Sequence, residues 1–337
     1  MGLSASFFKK IFHFKRPSGT SRGVLTEKHA WFIEIWDPQN PSIKGLGECS
    51  IIPGLSPDFT DFESYEKKLT TVCQNLNDDT GDWPSIKFGM ETALLDLMNG
   101  GTGVIFDNDF TNGKIRLPIN GLIWMGEESF MREQIEEKLA QGFTTIKMKI
   151  GAINFETEFA LLTSIRKKYT EEQITLRVDA NGAFSPEDAA DKLQRLTSLN
   201  IHSIEQPIKA GQWKEMKSLC STTQLPIALD EELIGINDLD DKIDLLDTIQ
   251  PQYIILKPSL HGGISGSKEW IQLAEERNIP WWITSALESN IGLNAICQFT
   301  AEYAINLPQG LGTGSLYTDN IPSDLVVEAG EIYLRNY

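Results

Sequence analysis

Residues 175–207 read TLRVDANGAFSPEDAADKLQRLTSLNIHSIEQP. The segment opens on a short apolar and β-branched run, Thr175 to Asp179, and closes on another, Ser203 to Glu205, with an amphipathic stretch between them. Strand, helix and second strand within about 30 residues make one βα unit with its loops. The rhythm extends both ways. Upstream lie the strand candidates Pro118–Leu122 and Thr144–Lys149; downstream lie Ile227–Asp230, Tyr253–Lys257, Trp281–Ser285 and Gly310–Gly312. Eight such units in roughly 200 residues predict an α/β chain closed into a (β/α) barrel. A doubly wound sheet would use fewer strands and a glycine-rich first turn, and no G-x-G-x-x-G follows a strand here.

The first third has another texture. From Ser6 to Asp37 two β-rich runs, FFKKIFHFK and HAWFIEIW, flank the Pro/Ser/Gly cluster Pro17–Gly23. They read as antiparallel strands joined by a mobile loop. After GLGECS (45–50) and PGLS (53–56), apolar residues fall at helical spacing over Phe62–Asn77 and Ile86–Met98. The last strand pattern, Gly330–Arg335, is expected to return to this α+β unit, because chain ends often lie close together. The expected division is 1–110, completed by 321–337, with the barrel over 111–320.

Composition narrows the function. Apolar residues make up 41% of the 337, enough for a sizeable core, so disorder and fibrous classes are excluded. Thirty basic against 47 acidic residues leave a net charge of -17, which disfavours nucleic acid and anionic membrane surfaces as partners. No apolar run approaches the roughly 18 to 20 residues of a membrane span. Cys49, Cys73, Cys220 and Cys297 are too scattered for a disulfide framework or a zinc site. Gly2 and Ser6 match a loose acylation pattern that chance often supplies. No secretory leader is visible, and a cytoplasmic location is expected.

The chemistry gathers at the strand ends, which share one rim in a parallel barrel. Asp179, Glu205 and Asp230 close three neighbouring predicted strands and can converge. Three carboxylates that close repel unless a cation lies among them, and an all-oxygen set with open positions suits Mg²⁺. Lys147 and Lys149, two apart on one strand, point to one face; Lys257 approaches from the opposite side. Amines on two sides of a metal-bound carboxylate suit removal of the proton α to it. Taken singly, a K-x-K is usually a solvated strand end and a terminal acid is often a helix cap. The joint pattern, six such residues on five consecutive strands, is what carries the reading.

On these residues the chain resembles the enolase superfamily, in its muconate-lactonizing subgroup and within that the branch forming 2-succinylbenzoate. The resemblance runs over nearly the whole chain. It takes in GLGECS (45–50), PGLS (53–56), FGMETALLD (88–96), NGLIWMG (120–126), KMK (147–149), DANGAF (179–184), EQP (205–207), DE (230–231), KPSLHGG (257–263), SALES (285–289) and GLGTG (310–314). It implies a modified (β/α)8 TIM-type barrel under an α+β capping domain. It implies dehydration of 2-succinyl-6-hydroxy-2,4-cyclohexadiene-1-carboxylate to 2-succinylbenzoate, a step of menaquinone biosynthesis. Asp179, Glu205 and Asp230 match the family's Mg²⁺ ligands, with Mn²⁺ a possible substitute. Lys149 matches the lysine that takes the α-proton and helps the hydroxyl leave. Lys257 matches the one facing the ring, and Lys147 would hold a carboxylate oxygen.

Further substrate contacts are expected at Asn181 on the same rim, and at Ser285, Glu288 and Ser289, where backbone N–H groups opening a helix would receive the succinyl carboxylate. The Pro17–Arg22 loop is a candidate lid. Trp124, Trp281 and Trp282 are expected in the core, and His261 as a structural residue. The expected partner is a small dicarboxylate, with a homo-oligomer possible. N-acyl amino acid racemisation would use the same two lysines. Dipeptide epimerisation is disfavoured, because residues 312–316, GTGSL, hold no acid for a substrate ammonium. A Mg²⁺-dependent carboxylate-binding protein without turnover is the alternative from another class.

Overall fold

The alternation that begins at Ser4 becomes a long antiparallel hairpin, β1 (Ser4–Thr20) with β2 (Gly23–Trp36), which β3 (Lys44–Ser50) extends to the order β1-β2-β3. The computed structural model describes residues 2–20, 23–305 and 307–335. The ladder shifts register between His13 and Ser18 and then runs on to pair Thr20 with Gly23. Most of the expected Pro17–Gly23 loop is therefore strand, because backbone pairing resumes beyond the Pro17 irregularity; Ser21 and Arg22 lie outside the described residues.

Two helices, α1 (Phe62–Gln74) and α2 (Pro84–Met98), cover this sheet. The GLGECS and FGMETALLD segments meet as β3 and α2 in near backbone contact. A Cβ on Gly47 would sit 1.8 Å from the Gly89 carbonyl oxygen, and one on Gly45 would sit 1.9 Å from that of Ala93. Only glycine allows that approach.

Then follow β4 (Leu117–Pro118), β5 (Gly121–Ile123), α3 (Glu128–Ala140), β6 (Thr145–Lys149), α4 (Phe155–Lys168), β7 (Thr175–Asp179) and α5 (Pro186–Thr197). The chain continues through β8 (Ser203–Glu205), α6 (Trp213–Thr222), β9 (Ile227–Leu229), a 3₁₀ turn at Glu231–Leu233, α7 (Leu239–Ile249), β10 (Tyr253–Leu256) and α8 (Gly263–Glu276). It ends with β11 (Trp281–Ile283), α9 (Asn290–Thr300), β12 (Leu325–Glu328) and β13 (Glu331–Leu334). Strands β5 to β11 form one curled parallel sheet in sequential order.

Among the described residues the sheet closes without a full eighth strand. Gln309 bridges Ile119 and Gly310 bridges Thr284, both parallel, through Asn120 N–H to Gln309 O (2.9 Å) and Ser285 N–H to Gly310 O (3.1 Å). The expected strand at 310–312 is thus a seam one or two residues long. The expected strand Pro118–Leu122 is split, since β4 pairs antiparallel with β13 and β5 pairs parallel with β6. The C-terminal strand accordingly sits with β12 and β4 and does not return to the N-terminal sheet. Residues 316–319 make that contact instead, with Lys15 N–H bonding Leu316 O and Thr318 N–H bonding His13 O.

Side-chain parity explains the interior. Ile146, Met148, Leu176 and Val178 face the helices, buried in the main core. Their neighbours Lys147, Lys149, Arg177 and Asp179 point inward. The architecture is a modified TIM-type barrel with a capping unit.

Candidate active site

Register brings the rim residues together. Lys149 lies opposite Asp179, and Asp179 opposite Glu205, on β6, β7 and β8. Asp230 follows β9, and Lys257 follows β10. Lys147, Lys149, Asp179, Asn181, Glu205 and Lys257 all line one cavity of about 510 Å³ at this mouth, whose other walls include Ile52 and Leu55 from the capping unit.

The charges interlock. Lys147 Nζ donates to Glu205 Oε2 and, at 3.0 Å, to Asp179 Oδ2. Lys149 Nζ reaches Asp179 Oδ2 at 3.0 Å and Asn181 Oδ1 at 2.6 Å. Lys257 Nζ donates to Asp230 Oδ2. Burial alone would raise the Asp179 carboxyl, but Lys147, Lys149 and Lys257 outweigh it and hold it well below its ordinary range. Asp230 is likewise lowered against its burial, chiefly by Lys257. Glu205 goes the other way: burial and then Asp179 raise it, more than Lys147 can offset. Lys147 and Lys257 are both raised, the surrounding acids overcoming the cost of burial. The acids are crowded enough that they cannot all ionise alike.

Among the described residues no three acid, histidine or cysteine side chains already close on one point as metal ligands do; the ammonium groups stand between the carboxylates. The donor set nevertheless fits a hard cation. Glu205 Oε1 and Asp230 Oδ1 are buried carboxylate oxygens without a hydrogen-bond partner, and Asp179 supplies a third carboxylate beside them. Buried anionic oxygens left open are costly unless a cation meets them.

Of the other expected residues, Asn181 is in place but engaged with protein groups. It sits at φ +44°, accepts from Lys149, and donates through Nδ2 to Glu231 Oε1 at 3.0 Å. Ser285 lines the cavity, its hydroxyl 2.6 Å from that of Thr313. Glu288 and Ser289 do not face the cavity. Glu288 Oε1 accepts from Ser259, and the α9 N-terminus is already taken by an internal carboxylate. Glu48 accepts from Ser289 N–H (2.9 Å), Ser289 Oγ (2.6 Å) and Gly292 N–H (2.9 Å). The expected anion site there is filled by the protein itself. Trp282 is buried against Arg177, and Trp124, half-buried, packs against the core cluster that includes Phe12 and Ile52 while also lining the cavity. His261 accepts the Lys257 N–H through Nδ1 at 3.0 Å, and burial pushes its imidazole down to about 3, so it stays neutral in that structural role.

Two residues stand inside the quoted motifs without an expected role. Glu231 carries the wrong strand parity for the cavity, and the 3₁₀ turn after β9 brings it back to the rim. Gln206, at φ +40°, ties neighbouring loops by accepting from Asp230 N–H and donating to Glu232 Oε2 at 2.9 Å. Its place between Glu205 and Pro207 was the available signal.

Comparison with known proteins bears on the same residues. The enolase C-terminal domain-like family matches residues 130–336. The chain belongs to the enolase superfamily. Within it, o-succinylbenzoate synthase of Desulfotalea psychrophila is 48% identical over 98% of each chain. The crystal structure of MenC from Desulfotalea psychrophila LSv54 superposes with a TM-score of 0.88 at 44% identity, covering 99% of this chain and 100% of that one. A dipeptide epimerase from Cytophaga hutchinsonii, solved with Mg and D-Ala-L-Val, shares the fold at a TM-score of 0.85 and 22% identity, over 99% of this chain and 94% of that one. Enolase-superfamily membership fits a barrel whose three acidic strand ends are flanked by lysines on one rim.

Proposed function

We propose that the chain catalyses the Mg²⁺-dependent dehydration of 2-succinyl-6-hydroxy-2,4-cyclohexadiene-1-carboxylate to 2-succinylbenzoate, the reaction of the o-succinylbenzoate synthases it resembles. One observation carries the reading. Lys149 on β6 and the Lys257 that follows β10 enter the same cavity, with the Asp179, Glu205 and Asp230 strand ends between them. Those three acids would hold Mg²⁺, with Mn²⁺ a substitute. The bound ion would stabilise the negative charge that grows on the substrate carboxylate as the α-proton leaves.

The chain's own groups do the rest. Lys149 Nζ takes the proton from the α-carbon, and the ring carbon–hydroxyl bond then breaks. The departing hydroxide collects that proton from Lys149 and leaves as water, so the ring becomes aromatic with no redox change. Lys257, as an ammonium on the other face, stabilises the enediolate by charge and by contact with the ring. Lys147 steadies Asp179 and Glu205. Residues 1–110 act as the cap of a barrel spanning 111–320, and the reaction belongs to the cytoplasm.

The test is loss of the cyclohexadiene ultraviolet band with appearance of 2-succinylbenzoate, in the parent protein and in Lys149→Ala and Lys257→Ala. Turnover in the parent and none in either variant is expected. Substrate binding without turnover in the parent would make the chain a carboxylate-binding protein. Solvent deuterium entering N-succinyl amino acids, with no aromatic product, would make it a racemase.

A further inference from the structure

Between β11 and α9 the chain turns through residues 285–289, of which Ser285, Ala286 and Leu287 form one wall of the cavity. Leu287 sits at φ +64°, a left-handed conformation that side chains of its kind rarely adopt. Such a residue persists only where its surroundings impose the geometry. Here the peptide on each side of its Cα is pinned. Lys28 Nζ, reaching across from β2, donates to the Ala286 carbonyl at 2.8 Å, and Tyr317 Oη donates to the Leu287 carbonyl at 2.6 Å. With both flanking peptides fixed in orientation, Leu287 has little freedom to relax. Its side chain then packs with Phe12, Phe14 and Ile52 of the capping unit.

We propose that Lys28 is a positioning residue that holds the Ala286–Leu287 wall in its strained, substrate-shaped form. Lys28 is only 3% exposed and touches no part of the acid–lysine cluster that performs the chemistry. A buried amine is an expensive way to fill space, and an apolar chain of similar length would fill it at lower cost. What the amine adds is a donor aimed at one carbonyl. The titratable groups that face it are Glu48 on β3 and Glu288 on the turn, with the Tyr317 hydroxyl beside them. Burial outweighs the two acids and lowers Lys28 to about 8, so the charged donor is lost at moderately alkaline pH.

This inference rests on the cavity turning over the cyclohexadiene carboxylate, and its test keeps the two apart. In Lys28→Met, KM is expected to rise about tenfold with kcat within about threefold of the parent, since a wall that no longer fits weakens binding and leaves the lysines untouched. In the parent, KM climbs above pH 8, and in Lys28→Met that alkaline limb is gone. Amide hydrogen exchange, which needs no substrate, should show protection lost at residues 286–290 and retained in the rest of the barrel and in the cap. Unchanged KM, an alkaline limb common to both proteins, or exchange spread well beyond residues 286–290 would each overturn the proposal. If the parent shows no turnover, the functional reading fails and the exchange result alone decides Lys28. If Lys28→Met does not fold, Lys28→Arg serves: a parent-like KM without the alkaline limb supports the role, and a raised KM with the limb intact refutes it.

Discussion

Replacing Glu48 by alanine tests how firmly the capping unit is anchored to the barrel. Glu48 is 1% exposed, and its carboxylate is the acceptor for Ser289 N–H, Ser289 Oγ and Gly292 N–H at the start of α9. A buried donor left without an acceptor costs about 1–3 kcal/mol. Two amides are stranded outright, while the hydroxyl can turn to another acceptor, which gives about 2–6 kcal/mol. An offset lies in the acid itself: burial raises its carboxyl, so removing it relieves a desolvation cost. The net expectation is about 3 kcal/mol lost for Glu48→Ala, and about 1 kcal/mol for Glu48→Gln, which keeps one oxygen. Urea unfolding followed by tryptophan fluorescence, with equal m-values required, measures both. Equal losses in the two variants, or an alanine variant within about 1 kcal/mol of the parent, would refute an anchoring role built from those three hydrogen bonds.

Three further outcomes are expected. Chelation with EDTA should abolish turnover, and Mg²⁺ or Mn²⁺ should restore it; full activity after exhaustive chelation would remove the metal role from the three acids. Asp58 is raised to about 6, mainly by burial and against its bonds to Ser85, so its contribution is fully present below the unfolded carboxyl range and is lost as pH rises through about 6. Asp58→Asn should therefore gain on the parent by about 2 kcal/mol between pH 4 and pH 7 in urea unfolding, and a constant gap would contradict this. Gly47→Ala would drive a Cβ to 1.8 Å from the Gly89 carbonyl oxygen, so a loss of about 2–3 kcal/mol or more is expected, read by the same unfolding curves.

Much of the site was legible because strand parity is strict. Lys147 and Lys149 are two apart and must share a face, and the acids at 179, 205 and 230 close successive strands of one sheet. What parity does not govern was missed. Glu231 returns to the rim through a 3₁₀ turn, and a turn has no period to read. Glu288 and Ser289 looked like a free helix start because the carboxylate that fills it, Glu48, lies 241 residues away in sequence from Ser289. The fold follows the same rule. The βα rhythm announced the barrel, but the ladder carrying β1 on to Thr20 and the reduced eighth strand depend on partners far along the chain.

That seam has a consequence for how the molecule is made. Ile119 meets Gln309 and Thr284 meets Gly310, so the last stitches of the barrel come from residues that leave the ribosome after every parallel strand is already out. Until then β5 and β11 present raw edges, each able to recruit a strand from another nascent chain. A product truncated before residue 309 would hold the acids and the lysines yet stay an open ribbon, prone to stacking on its neighbours.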